Sequence, residues 1–340
     1  MCTLAQLRPH LPARALNTAR RFTTSHHINT PAATVADAFL SRFQSLGPQT
    51  RTQTLDANQL QLLGLTLNRP SLFPGSPSLS NTSTPPLHTP VPPGYHLAYF
   101  TPAFLESELG ADGTDASYNP EAPFTRRMWA GGEVLWPRGA DEKPNPLRIG
   151  QQVSETTRVL SAEPKVVKKT GEEMIVVGVE KEFANEQGVS IVDRRNWVFR
   201  KALPVPTASA LLHRPLRKET PTLARWCKPP VTLFRFSALT FNPHKIHYSL
   251  PWARDVEGHR DIVVHGPLNL ISVLDLWRDI RSRTSADPTT IIPQRISYRA
   301  TSPLYAGEEY QIVLQEDGDV AKVEIVAPGE VVAMKAEIQA

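Results

Sequence analysis

The sequence predicts an α+β fold in which antiparallel strands wrap a long apolar helix. Three observations predict it. Residues 265–283 carry Leu268, Leu270, Ile271, Val273, Leu274, Leu276 and Trp277 at helical spacing, which makes a broad apolar face. Four strand-length runs follow, at 291–298, 309–315, 320–326 and 331–338. Glu316-Asp317-Gly318-Asp319 and Ala327-Pro328-Gly329-Glu330 separate the last three and are hairpin turns by composition. The first half repeats the order, helical segments and then strands. A chain of 340 residues also exceeds one average domain, so two units of about 100–150 residues are expected.

Composition narrows the class further. Hydrophobic residues make up 40% and charged residues 21%, as in an ordinary globular protein. The formal charge of +4 is too mild to indicate nucleic-acid binding, and part of it sits in the N-terminal segment. Cys2 and Cys227 form neither a disulfide framework nor a metal-type spacing, and they suit a reducing compartment. No metal site is expected. No apolar run reaches the roughly 20 residues that span a bilayer.

Taken in order, residues 1–36 contain Arg8, Arg14, Arg20 and Arg21, many Ser and Thr, and no acidic residue before Asp37. That is the composition of a mitochondrial targeting segment, with Phe22 or Thr30 as the mature start and the matrix as the destination. Residues 37–94 form the next unit. Val35 to Leu46 and Asp56 to Leu67 have helical periodicity, and 69–94, with eight prolines among Ser, Thr and Asn, reads as an exposed loop or linker. Residues 95–202 are the first strand-rich domain. Tyr95 to Phe100 reads as a short strand, and 172–183 and 189–199 as two more around the turn Asn185-Glu186-Gln187-Gly188. Within it Phe124 to Gly132, FTRRMWAGG, places Arg126, Arg127 and Trp129 beside paired glycines, a combination able to hold a phosphate or carboxylate at a flexed bend. Residues 203–230 are a basic connector with His213, Arg214, Arg217, Lys218, Arg225 and Lys228, either solvated or facing the phosphates of a coenzyme or an acidic carrier protein.

Residues 231–340 hold the chemical centre. Asn242, His244 and His247 lie in FNPHKIHY after an apolar, strand-like run from Leu233 to Leu239, and His265-Gly266-Pro267 opens the long helix. Histidine exchanges its proton near neutral pH, so the cluster is a candidate acid/base site. The first backbone N–H groups of a helix have no partner in the helix and sit at its positive end. Those at Gly266 are therefore candidate donors to a thioester oxygen as it gains charge.

An Asn-x-His-x-x-His loop followed by Val-His-Gly-Pro-Leu resembles the MaoC-like hot-dog hydratase/dehydratase superfamily. The wider wording, FSALTFN-x-H-x-IHY with VVHGPL, is most similar to the mitochondrial 3-hydroxyacyl-thioester dehydratases of type 2 and their mesaconyl-CoA hydratase relatives. The resemblance covers about 90–340 and is most secure over 231–340. It implies a double hot-dog, two antiparallel sheets each wrapping a central helix, the first half degenerate and substrate-binding. It also implies reversible dehydration of a 3-hydroxyacyl thioester to the trans-2-enoyl thioester, with no cofactor and with the substrate carried on coenzyme A or an acyl carrier protein. His247 would be the acid/base, Asn242 would hold the hydroxyl or water, and His244 would orient Asn242 or share the proton work. Gly266 would bind the oxyanion with His265 fixing the loop, and His265, Pro267, Arg126, Arg127 and Trp129 would contact substrate. One position departs from the superfamily's Asp-x-Asn-x-x-His pattern: Asn242 stands where the Asp belongs, and it cannot ionise. A mesaconyl-CoA-type hydratase, a non-catalytic acyl-thioester binding protein and a thioesterase are the alternatives. Two such units in one chain imitate the usual dimer, so a monomer and a homodimer are both compatible.

Overall fold

In the computed structural model, residues 31–168, 170–203 and 223–340 are described. The expected targeting segment lies outside them up to residue 30, as does most of the basic connector, while residues 32–36 of that segment belong to the first helix. The elements are α1 (Ala32–Leu46), β1 (Gln49–Thr54), α2 (Ala57–Thr66), β2 (Arg126–Leu135), β3 (Gln152–Val166), β4 (Glu173–Asn185) and β5 (Gly188–Arg200). The second half adds β6 (Leu223–Cys227), α3 (Pro230–Leu239), α4 (Gly266–Arg281), β7 (Arg295–Ala300), β8 (Glu309–Asp317), β9 (Val320–Ala327) and β10 (Val331–Gln339).

The strands form one antiparallel sheet in the order β1-β3-β4-β5-β2-β7-β10-β9-β8-β6, so the sheets of the two halves are continuous through the β2–β7 pair. The paired glycines make that seam possible. A Cβ at Gly131 would overlap the Tyr298 carbonyl of β7, and one at Gly132 the Arg194 carbonyl of β5. Both sit at a bulge, where β2 shifts register against β5 between Trp129 and Gly131. The expected bend is thus a bulged central strand.

The second half of the sheet wraps α4, whose Leu268, Leu270, Ile271, Val273, Leu274 and Trp277 are all at most 2% exposed. The helix is buried nearly all round, its Asn269, Ser272, Asp275 and Arg278 included. Part of the proline-rich segment 69–94 covers its polar side; the segment is an irregular loop with many exposed positions, as expected, yet it is anchored on the helix. Leu72, Phe73, Leu79 and Val91 of that segment are buried, and the Arg278 guanidinium lies over the Phe73 and Tyr95 rings. Prolines bar regular structure without barring burial. In the first half, α1 packs Ala32, Val35, Ala36 and Phe39 against Ile175, Val177, Val179, Trp197 and Phe199.

Two short apolar runs differ from their expected type. Residues 233–239 belong to α3, not to a strand: Leu233, Phe236 and Ser237 are buried while Val231 and Phe234 face out, which is a helical period. Runs this short fit either period, and Pro230 in the first turn favours the helix. Tyr95–Ala98 is a 3-10 turn entered through Gly94 at φ 88°. Tyr95, His96, Ala98, Tyr99 and Phe100 are all buried there, without the alternation a half-exposed strand requires.

Candidate active site

A cavity of about 1250 Å³ lies between the two halves. Asn242, His244, His247, Gly266 and Pro267 line it from the second half, and Arg126, Arg127 and Trp129 line it from β2. Residues predicted on elements more than 110 positions apart therefore line one cavity.

The turn after α3 delivers the histidines. Phe241 takes a left-handed conformation at φ 46°, and the Asn242 N–H returns to the Ser237 carbonyl at 2.9 Å. Asn242 Oδ1 then accepts from the His244 N–H at 3.2 Å, which holds the oxygen in the loop and leaves the amide nitrogen to donate. A 3-10 turn over Lys245–His247 places His247, whose Nδ1 lies 2.7 Å from the Val263 carbonyl. A carbonyl only accepts, so Nδ1 carries the proton and Nε2 carries the lone pair. Burial lowers His247 to about 4, which keeps that lone pair free at neutral pH.

His265 departs from its expected role. It is fully buried, is not part of the cavity wall, and stacks its ring on His247 at 3.6 Å with 19° between the planes. Its Nε2 is 2.9 Å from Ser237 Oγ. The His265 ring backs the His247 ring and does not line the cavity. Burial, then His247 and His244, push its pKa well down. Burial and the same kind of neighbours, His247 first, do so for His244. Three neutral imidazoles therefore sit together, and His244 meets His247 edge-on at 5.3 Å.

Gly266 is the first residue of α4, and its N–H has no acceptor among the described residues. A Cβ there would stand 3.0 Å from the Trp129 ring, so glycine lets that indole close over the helix start. Trp129 in turn stacks near Tyr298 and carries the Arg195 guanidinium over its face. The two arginines point to opposite faces of β2, as consecutive strand residues must. Arg126 pairs with Glu257 at 2.7 Å, and Arg127 with Asp115 at 3.3 Å.

Sequence reasoning missed the part of the wall supplied by β3, β4 and β5. Glu155, Thr157, Lys181 and Arg195 line the cavity there. Lys181 bonds Glu155 at 3.0 Å, and Arg195 bonds Asp193 at 2.6 Å. The sequence marked them poorly, because the charges run consecutively, Glu180-Lys181-Glu182 in β4 and Asp193-Arg194-Arg195 in β5, and no alternation separates the inward-facing ones. Asn269, with Oδ1 buried and unpartnered among the described residues, was also missed.

The fold is that of a hot-dog protein, with the histidine loop beside the amino end of the central helix. The profile of the hydroxyacyl-thioester dehydratase type 2 family matches residues 94–306, and the chain belongs to that family. It is a hydratase/dehydratase, an enzyme of the hydro-lyase class. A mesaconyl-C(4)-CoA hydratase from Chloroflexus aurantiacus is 29% identical over 76% of this chain and 86% of its own length. A mitochondrial hydroxyacyl-thioester dehydratase type 2 from Schizosaccharomyces pombe is 27% identical over 68% of this chain and 80% of its own. Among solved structures, a MaoC-like dehydratase from Phytophthora capsici superposes with a TM-score of 0.59 at 14% identity, covering 86% of this chain and 95% of that one. Among the described residues no helix is long and apolar enough to cross a membrane.

Proposed function

We propose that this cavity interconverts a 3-hydroxyacyl thioester and its trans-2-enoyl thioester, with His247 as the acid/base, and that the protein does so in the mitochondrial matrix. The observation that carries the chemistry is His247: its Nδ1–H is tied to the Val263 carbonyl, and it lines the same cavity as Gly266, whose N–H has no acceptor among the described residues. In the hydration direction Nε2 takes a proton from water as the oxygen attacks C3, and then returns that proton to C2. Charge that develops on the thioester oxygen falls to the Gly266 N–H, and the Asn242 amide nitrogen donates to the water oxygen. Elimination runs the same steps backwards. Acid/base action of this kind is worth roughly 10²–10⁴ in rate. The thioester is carried on coenzyme A or on the phosphopantetheine of a carrier protein, and the chain's own residues supply the chemistry without a cofactor.

Crotonyl-CoA given to the purified protein should lose its enoyl absorbance, and His247→Ala should slow that loss at least a hundredfold with the fold intact. Release of free thiol would instead indicate a thioesterase, and binding without turnover a carrier. Survival of activity in the alanine variant would remove His247 from its role.

The charged inner wall favours a mesaconyl-type substrate as the second reading. A long alkyl chain gains nothing against Glu155, Lys181 and Arg195, whereas a short or carboxylate-bearing acyl group finds partners there. Mesaconyl-CoA and dodecenoyl-CoA in the same assay separate the two. Matrix residence rests on the arginine-rich, acid-free start of the chain and on the mitochondrial relative, and fractionation of the tagged protein tests it.

A further inference from the structure

A water that attacks C3 has two hydrogens, and among the groups assigned to the reaction only His247 offers a basic lone pair. His247 Nε2 takes the first. For the second, Asn242 offers only the remaining lone pair of a neutral Oδ1 that already accepts from the His244 N–H, and its amide nitrogen only donates. The carboxylate absent from position 242 stands nearby, on the other half of the molecule.

Residues 110–115 dock on the turn that carries Asn242 and His244. The Lys245 N–H donates to the Asp112 carbonyl at 2.8 Å, and Lys245 Nζ to the Ala111 carbonyl at 2.6 Å. Gly113, at φ 83°, lies so close to the Pro243 carbonyl that a Cβ would overlap it. Asp112 is fixed inside this contact. Its Oδ1 accepts from the Thr114 N–H at 2.9 Å and from the Thr114 hydroxyl at 2.8 Å. Its Oδ2 is left facing His244 Nε2 at 3.7 Å, with the two side chains only 13% and 10% exposed.

We propose that Asp112 is a positioning residue for the hydration step: it holds the His244 proton on Nε2, so that Nδ1 presents the lone pair that accepts the second hydrogen of the water. The pair replaces, across the two halves, the carboxylate that position 242 lacks. At 3.7 Å the contact is looser than a hydrogen bond, and such contacts tighten when substrate excludes water. His244 need not become charged for this. Burial, His247, Arg127 and His259 all press its pKa down.

The proposal rests on the hydratase reading, and its test is built to fail separately. In Asp112→Asn the amide oxygen must stay on the Thr114 donors, so the NH₂ replaces Oδ2 and points its hydrogens at Nε2. The His244 tautomer then inverts and Nδ1 becomes a donor. With crotonyl-CoA, kcat should fall about 10–100-fold while KM stays within about threefold. Adding Asn242→Asp to that variant should restore at least tenfold. Nitrogen-15 NMR of histidine-labelled protein should show His244 protonated at Nε2 in the parent and at Nδ1 in Asp112→Asn, whether or not crotonyl-CoA is turned over. Parent-like kcat in Asp112→Asn, a loss that Asn242→Asp leaves unrepaired, or an unchanged tautomer overturns the proposal. A parent without hydratase activity overturns the functional reading instead.

Discussion

His247, His265 and Ser237 form a short stack in which each member constrains the next. The Val263 carbonyl fixes the His247 proton, the His265 ring fixes its plane, and Ser237 holds His265. Gly266 serves the same geometry from the other side. Gly266→Ala puts a methyl 3.0 Å from the Trp129 ring, so either the indole or the helix start must shift. We expect kcat on crotonyl-CoA to drop about 10²-fold through a displaced oxyanion donor, with the circular dichroism spectrum unchanged. A fully active Gly266→Ala enzyme would show that the α4 terminus does not hold the thioester oxygen. His247 and Gly266 were legible because each sits in a dense local motif, NPHKIHY and HGPL. Asp112 was not, because its meaning comes from a contact 132 positions downstream that no local pattern encodes.

At the scale of elements, the strongly periodic segments read correctly, whereas two short apolar runs were given the wrong type and the polar, 15-residue β3 was not expected as a strand. The 16 residues of α4 and the hairpins β8–β9 and β9–β10 repeat their pattern often enough to identify themselves. The runs 233–239 and 95–100 contain too few repeats, and packing decided their type. The strand β2 belongs to a third kind: its sequence announced something unusual without saying what. Its glycines admit β5 on one side and β7 on the other, which joins the halves. In Gly132→Ala the new Cβ would overlap the Arg194 carbonyl, so the pair must part. A destabilisation of about 3 kcal/mol is expected in chemical denaturation. An unchanged denaturation midpoint would mean that the seam tolerates separation.

The whole molecule gathers neutral buried histidines where its halves meet, and this sets its response to acid. His247 titrates near 4 in the folded protein against about 6.5 unfolded, so the unfolded chain binds the proton first. Its contribution is complete above pH 6.5 and is lost as pH falls through 4, about 3 kcal/mol in all. His244 and His265 are depressed in the same direction, by burial before any charge. Asp275 opposes them, since burial raises its pKa. Denaturation midpoints should therefore decline steadily from pH 7 to pH 4, and less steeply in His247→Gln. A flat profile over that range would contradict the neutral cluster.

By itself the sequence determined the α+β class, the helix at the centre of the second half and the loop of histidines before it, since periodicity and local motifs are properties of neighbouring residues. Tertiary structure alone decided that part of the proline-rich segment covers α4, that His265 stands behind His247, that Asp112 meets His244, and that the Lys181–Glu155 pair lines the cavity. Those facts depend on which surfaces meet when two halves close on one sheet, and burial at such a meeting is not written in any single stretch of chain.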